Sequence, residues 1–200
     1  MTTAPIIIGI DEAGRGPWTG SVFAGAVVLD PARMISSLND SKKLSAARRE
    51  QLAAQIKTQS LAWGIGSASC TEIDAHNILQ ATFIAMRRAL AQLRDRIELH
   101  HCMALVDGNR DPLLGIPTQT IVKGDATVPA ISAASILAKV ARDAESHALH
   151  LRHPDYGFDS HKGYGTAQHS AALARLGALP EHRRSFKPVA LWYASRPLHT

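Results

Sequence analysis

Short apolar runs of strand length alternate along this chain with longer stretches of helical period, a pattern that predicts an α/β fold. Ile6-Ile7-Ile8-Gly9-Ile10 is β-branched apart from Gly9 and stops at Asp11-Glu12. Gly14, Gly16 and Pro17 forbid its continuation, so a buried strand is expected over residues 6–10. A second strand is expected at about 21–29, where Val22, Ala24, Ala26 and Val28 alternate with Phe23, Gly25, Val27 and Leu29 and both faces read as buried. Asp30-Pro31 ends it and leads into a short helix. Ser45 is placed to cap a helix reaching about Lys57, and a third strand follows near 60–69. The clearest helical period is Leu79, Phe83, Met86, Leu90, Leu93 and Ile97, which predicts a core-facing helix from Asn77 to about Arg96. Met103–Val106 and Thr118–Val122 read as two further buried strands.

Several of these strands end in acids. The first runs into Asp11-Glu12, the fourth into Asp107-Gly108 and the fifth into Lys123-Gly124-Asp125. If the three lie side by side and leave the sheet on compatible sides, four carboxylates meet in one cleft. Adjacent strand residues point to opposite faces, so Asp11 and Glu12 converge only if the backbone turns out of the strand around Glu12, which the following glycines permit. The same glycines let backbone amides approach a ligand closely. Four crowded carboxylates repel and raise one another's pKa unless a cation neutralises them, and an all-oxygen set favours Mg²⁺ or Mn²⁺ over zinc. A lone loop aspartate is usually a cap or turn residue; what sets these apart is their shared position after apolar strands.

Composition narrows the class of partner. With 200 residues and 46% hydrophobic content, the chain can bury one sizeable core, and a single domain over 1–200 is expected. The net charge of +5 and a pI near 9.5 make a polyanion such as nucleic acid a natural partner. Residues 151–200 carry seven Lys or Arg against three acids, a net +4 that concentrates most of the excess in the last quarter. Cys70 and Cys102 are too few for a disulfide framework, and no basic segment leads into a signal-type apolar stretch, so a cytoplasmic location is expected. Apolar runs such as Val22–Leu29 fall well short of the roughly 20 residues of a membrane helix. His100-His101-Cys102 lacks zinc-ligand spacing, and Gly14, Gly16 and Gly20 match neither a dinucleotide fingerprint nor a nucleoside-triphosphate loop.

Six stretches together carry a resemblance: Asp11-Glu12-Ala13-Gly14-Arg15-Gly16-Pro17, Asp40-Ser41-Lys42-Lys43-Leu44, Val106-Asp107-Gly108-Asn109, Lys123-Gly124-Asp125, Ile131 through Asp143, and His161-Lys162-Gly163-Tyr164-Gly165-Thr166. In content and order the chain resembles the bacterial ribonuclease HII family. Thr19-Gly20-Ser21 departs from the pattern, since the family more often has a Gly-Pro pair there; no acid position is affected.

The resemblance implies a ribonuclease H-like fold, a central mixed β-sheet flanked by helices, with a basic helical C-terminal extension over about 150–200. It implies endonucleolytic cleavage of the RNA strand of RNA-DNA hybrids and nicking 5′ to a single ribonucleotide in duplex DNA, leaving 3′-hydroxyl and 5′-phosphate ends. Asp11, Glu12, Asp107 and Asp125 match the family's metal-binding acids and would hold two divalent ions, Mn²⁺ or Mg²⁺, around the scissile phosphate. Gly14, Arg15 and Gly16 match the segment that reads the ribonucleotide 2′-hydroxyl, together with a tyrosine at Tyr164. Lys42, Lys43, Arg183 and Arg184 are candidates for phosphate contacts.

Ser132, Ser135, Lys139, Arg142 and Ser146 form a polar helical stripe, while Ile131, Ala134, Ala138 and Ala141 make a small-residue face that suits close packing on the sheet. Arg142 and Asp143 read either as site support or as a surface ion pair. The competing functional reading is a non-catalytic hybrid-binding protein, against which the four intact acids argue. Nothing demands a dimer, so a monomer is expected, and the sequence is silent on a replication clamp.

Overall fold

The computed structural model describes residues 4–38, 41 and 44–195. Five strands form one mixed sheet. Its centre is β1 (Ile6–Ala13), antiparallel to β2 (Val22–Val28) on one side and parallel to β4 (Cys102–Asp107) on the other. Outside these, β3 (Ala62–Ala68) pairs antiparallel with β2 and β5 (Thr118–Ile121) pairs parallel with β4, giving the order β3-β2-β1-β4-β5. Because β1, β4 and β5 are parallel neighbours, their C-terminal ends open on one edge of the sheet.

Each face is covered by helices that approach to backbone contact. On one face Ile8, Ile10, Ala24, Ala26 and Val106 join the core beneath α2 (Cys70–Ala91). There a Cβ at Gly64 would lie 2.3 Å from the Ala89 carbonyl oxygen, and one at Gly66 would lie 2.2 Å from that of Ala85. On the other face Val27 packs with Leu52 and Ile56 of α1 (Ala46–Gln59) and with Ala133, Ile136 and Leu137 of α4 (Pro129–Arg152). A Cβ at Gly9 would lie 2.0 Å from the carbonyl carbon of Ala130, and one at Gly25 would lie 2.3 Å from the Ala134 oxygen. The small-residue face of α4 therefore rests directly on β1 and β2, with Ile131, Ala134 and Ala138 fully buried.

The observed elements depart from the sequence pattern in instructive places. β1 continues through Asp11 and Glu12 to Ala13, because β2 supplies partners as far as Phe23; the chain does not turn out of the strand at Glu12. Asn77 is an interruption inside α2 (φ 66°, ψ 164°), whose first turns are set by a capping box between Ser69 and Glu72. Its side-chain oxygen accepts from the Leu79 and Gln80 amides, so it caps the second helical segment. That segment ends at Ala91 rather than Arg96; Met86, Leu90 and Leu93 of its stripe are buried, and Leu79 is half-buried. Turns, with no helix over 31–38, follow Asp30-Pro31.

After α4 the chain is helical, as expected. A 3-10 turn at Pro154–Tyr156 precedes α5 (Phe158–His161), α6 (Ala167–Leu176) and α7 (Lys187–Ala194). A small satellite core of Leu149, Tyr156, Phe158 and Ala172 ties this region to the end of α4. Among the described residues, no helix is long and apolar enough to cross a membrane.

The Gly9 contact can be tested directly. The nearest atoms a methyl group there would meet are backbone atoms of Ala130 and Ile131, which cannot rotate aside as a side chain could. Gly9→Ala is expected to lower unfolding stability by about 3 kcal/mol or more, read from denaturant midpoints at unchanged m-value.

Candidate active site

The acids expected at the strand ends come together at the edge where β1, β4 and β5 open. Val106 is the register partner of Ile10, so Asp107 is the β4 counterpart of Asp11 and starts on the same face. Asp11 is 4% exposed and accepts a hydrogen bond from the Glu12 amide (2.7 Å). Glu12 points to the other face, so the acids straddle the end of β1 instead of converging through a backbone turn. Asp125 is not at a strand end. It lies in the one-turn helix α3 (Gly124–Thr127), entered through Lys123 in the left-handed conformation (φ 58°).

Asp107 ties the two segments together by accepting from the amides of Gly124 (2.7 Å) and Asp125 (3.4 Å). Ser132 of α4 donates to the Asp125 carbonyl (2.6 Å) and fixes α3 from the other side.

The electrostatics match a crowded anionic site. Burial pushes the Asp11 carboxyl well above the usual range, and the charges of Glu12 and then Asp107 push it further. Burial also raises Glu12; Arg15, 3.3 Å away, offsets part of that, and Asp107 adds to it.

Glu12 stands between two clefts. One, of about 240 Å³, is lined by Glu12, Gly14, Arg15, Gly16, Ser41, Ser135, Lys139 and Tyr164. The other, of about 330 Å³, runs between Asp107 and Leu79, Phe83 and Met86 of α2. Tyr164, 43% exposed, is brought against the Gly14-Arg15-Gly16 turn: a Cβ at Gly16 would lie 3.1 Å from its ring. The Arg142 guanidinium sits 4.8 Å over that ring. Arg142 is buried and also donates to the Lys162 carbonyl and to Asp143 (2.8 Å), so it supports the site and is not a surface ion-pair residue. Burial alone would raise the Asp143 carboxyl, but Lys139 (2.7 Å) and Arg142 outweigh it and hold it below the ordinary value.

Arg183 does not stand at a phosphate-binding surface, contrary to the reading of its sequence context. It is fully buried, and its guanidinium donates to the carbonyls of Gly14 (2.7 Å), Arg15 (3.0 Å), Gly20 (2.9 Å) and Ser21 (3.1 Å). Burial lowers its pKa to about 10, which leaves it cationic at neutral pH. Arg184 is exposed, with its guanidinium 5.0 Å over the Tyr193 ring. Lys42 and Lys43 lie outside the described residues, as does Asp40.

Sequence reasoning also passed over a group of buried histidines. His182 Nδ1 accepts from the Leu179 amide (2.9 Å), which leaves Nε2–H to donate to His169 Nε2 (3.1 Å). His169 then donates from Nδ1 to the Tyr164 carbonyl (3.0 Å). His161, stacked 4.6 Å from His169, accepts from the Gly163 amide (3.2 Å) and donates to the Tyr156 carbonyl (2.7 Å). The spacing of these histidines carries no sequence signal. By contrast, Ser135 and Arg142 belong to a polar stripe visible on an otherwise alanine-rich helix.

A mixed sheet of this order, flanked by helices and with carboxylates gathered at its parallel strand ends, is a ribonuclease H-like fold. Residues 8–189 match the family model described as ribonuclease HII, and the chain belongs to that family. Ribonuclease HII of Bordetella avium (strain 197N) is 60% identical over 183 residues, 92% of this chain and 89% of the relative. That of Laribacter hongkongensis (strain HLHK9) is 60% identical over 188 residues, 92% and 91% respectively. Among solved structures, the ribonuclease H2 of Pyrococcus horikoshii OT3 superposes with a TM-score of 0.77 at 24% identity, covering 94% of this chain and 97% of that one. The Archaeoglobus fulgidus RNase HII, solved in complex with PCNA, gives 0.74 at 26%, covering 96% and 98%. The chain is accordingly a ribonuclease H, a hydrolase of RNA paired with DNA.

The pKa shifts run in opposite directions and can be separated. Asp11 lies above its unfolded value of 3.8, so its ionised form costs folding stability at neutral pH, and the cost vanishes below that value. Asp11→Asn is expected to raise the melting temperature of metal-free protein at pH 7, with the difference from wild type closing as pH falls. His169 and His182 are lowered from 6.5 to about 4, chiefly by burial, so both proteins should lose stability in parallel as pH falls from 6.5 towards 4. Thermal melts of the two proteins across pH 3–8 check both signs.

Proposed function

We propose that this chain hydrolyses the RNA strand of RNA-DNA hybrids and also nicks duplex DNA on the 5′ side of a single embedded ribonucleotide, leaving 3′-hydroxyl and 5′-phosphate ends, and that it acts as a monomer. Such nicking begins the removal of ribonucleotides from DNA. The observation that carries the reading is the seating of Tyr164 against Gly16 in a cleft that ends at Glu12. A sugar held between the tyrosine and the Gly14-Arg15-Gly16 turn has its neighbouring phosphate directed towards the acids.

Asp11, Glu12, Asp107 and Asp125 are the proposed ligands of two divalent cations, Mg²⁺ or Mn²⁺. The fit rests on their chemistry: the set is all oxygen, and burial together with neighbouring negative charge raises the pKa of Asp11 and Glu12, which a bound cation would relieve. Bound there, such ions supply an activated water and neutralise charge on the departing oxygen. The protein's own groups do the positioning. Asp107 holds α3, and with it Asp125, by accepting from the Gly124 and Asp125 amides. Arg15 pairs with the Glu12 carboxylate (3.3 Å) at the cleft.

A 2′-hydroxyl is both donor and acceptor and separates RNA from DNA. The Gly14 and Arg15 carbonyls already accept from Arg183, so what the turn chiefly offers the sugar is its N–H groups. The Tyr164 ring offers a face for stacking and a hydroxyl beside the selected position. Lys42, Lys43 and the exposed Arg184 are the proposed phosphate contacts.

The deciding experiment is cleavage of duplex DNA carrying one ribonucleotide, with Mg²⁺, Mn²⁺ or chelator, beside an all-DNA duplex. Metal-dependent nicking 5′ to the ribonucleotide, absent from the all-DNA control, is expected. Asp125→Asn should lower the rate by about a thousandfold, since a lost ligand forfeits several kcal/mol of charge stabilisation. Tyr164→Ala should lower cutting at the single ribonucleotide roughly ten- to a hundredfold, the worth of one stacked base, and cutting of a continuous hybrid less. Undiminished activity in Asp125→Asn would remove the metal-ligand assignment, and equal losses on both substrates would remove Tyr164 as the selecting residue.

A further inference from the structure

The two walls of the proposed ribonucleotide pocket come from distant parts of the sequence, the Gly14-Arg15-Gly16 turn near its start and Tyr164 near its end. Two consecutive residues hold both. Arg183 grips the turn at its two ends, through the Gly14 and Arg15 carbonyls on one side and the Gly20 and Ser21 carbonyls on the other. His182 holds the opposite wall through a directed chain in which its Nε2–H donates to His169, and His169 Nδ1–H donates to the Tyr164 carbonyl. The main chain at this point is locked to the same loop: the Arg183 amide donates to the Trp18 carbonyl (2.7 Å), and Thr19 bridges His182. Trp18 in turn donates from its amide to the Gly163 carbonyl (2.8 Å), which closes the circuit between the walls.

We propose that His182 and Arg183 form a yoke of positioning residues that fixes the distance between the Gly14-Arg15-Gly16 turn and Tyr164, and so sets discrimination for a single ribonucleotide; this rests on the reading that these two elements select the sugar. Neither residue faces the cleft or touches substrate. Core filling does not account for their chemistry. A fully buried guanidinium whose hydrogen bonds all go to carbonyls is costly to desolvate, and an apolar side chain of similar volume generally packs at least as favourably. What an apolar residue cannot do is bind four carbonyls at two ends of a loop at once. A lysine cannot do so either, because its ammonium is a point charge without the planar fork. Likewise a neutral imidazole, accepting at Nδ1 and donating at Nε2, relays a hydrogen bond from the Leu179 amide towards Tyr164 across a rigid ring, which a shorter or apolar side chain cannot do.

The test compares kcat/KM on duplex DNA containing one ribonucleotide with kcat/KM on a continuous hybrid, for wild type, His182→Asn, Arg183→Lys and Tyr164→Ala. His182→Asn keeps an acceptor for the Leu179 amide but cannot reach His169. Each yoke variant is expected to lower the single-ribonucleotide to hybrid ratio by roughly tenfold or more, mainly in kcat, as displacement of a reading group by about 1 Å predicts. In a Tyr164→Ala background, His182→Asn should change the ratio no further, because its effect passes through that tyrosine.

Parallel losses on both substrates that track the folded fraction by circular dichroism would overturn the yoke. So would a further drop in the double variant or a wild-type ratio in Arg183→Lys. If Tyr164→Ala itself leaves the ratio unchanged, the underlying reading of the pocket falls, and the yoke with it, before any His182 variant is considered. If the yoke variants do not fold, nitrogen NMR of wild type decides: His182 protonated at Nε2 and His169 at Nδ1 supports the chain, and either opposite tautomer breaks it.

Discussion

The whole arrangement depends on α4 lying directly on the backbone of β1 and β2. Gly9 and Gly25 leave no room for even a methyl group beneath Ala130 and Ala134, so the helix cannot slide or rotate without opening the core. That contact fixes where every later turn of α4 projects. Ser132 reaches α3, Ser135 meets Ser41 (2.8 Å) at the cleft wall, and Arg142 arrives over Tyr164. Glu145, one turn on, accepts from both the amide and the hydroxyl of Ser21 (2.8 and 2.7 Å) and anchors the exit of the Gly14–Ser21 loop. One helix thereby transmits a single placement from the sheet to the acids and to the pocket beside them.

The site itself is built against its own stability. Burial raises the pKa of Asp11 and of half-buried Glu12, and the Asp107 charge beside them adds to both. A few residues away the sign reverses: Asp143 is surrounded by Lys139, Arg142 and Arg49 (3.5 Å) and is held ionised. Lys139, paired with Asp143, also lines the cleft that holds Glu12 and Tyr164.

Much of this could be read from the chain before its fold was seen. Strands announced themselves by apolar runs that stop at glycine or proline, and the acids by their position after those runs. Asp11, Glu12, Asp107 and Asp125 therefore lay in view, as did the alanine face of α4. The end of β1 was not legible, because only pairing with Phe23 and Ala24 on β2 carries the strand past Asp11; apolar period says nothing about polar residues that stay in register. Arg183 was misread for a related reason. An arginine in a basic segment resembles a phosphate contact until its neighbours prove to be the carbonyls of a loop some 160 positions earlier in the chain. His161 stood in a motif but without a role, and His169 and His182 gave no signal, since a hydrogen-bonded relay has no characteristic spacing in sequence.

The Gly14–Ser21 loop lies near the start of the chain, but the bonds that shape it come from Glu145, Gly163 and finally Arg183. The acids, by contrast, are complete at Asp125 and braced by Ser132. In a polypeptide made from its N-terminus, the cluster of acids thus has all of its parts some fifty residues before the loop beside it receives its last anchor. Synthesis order separates the two halves of the site: the acids come first, and the geometry of the loop beside them is settled last.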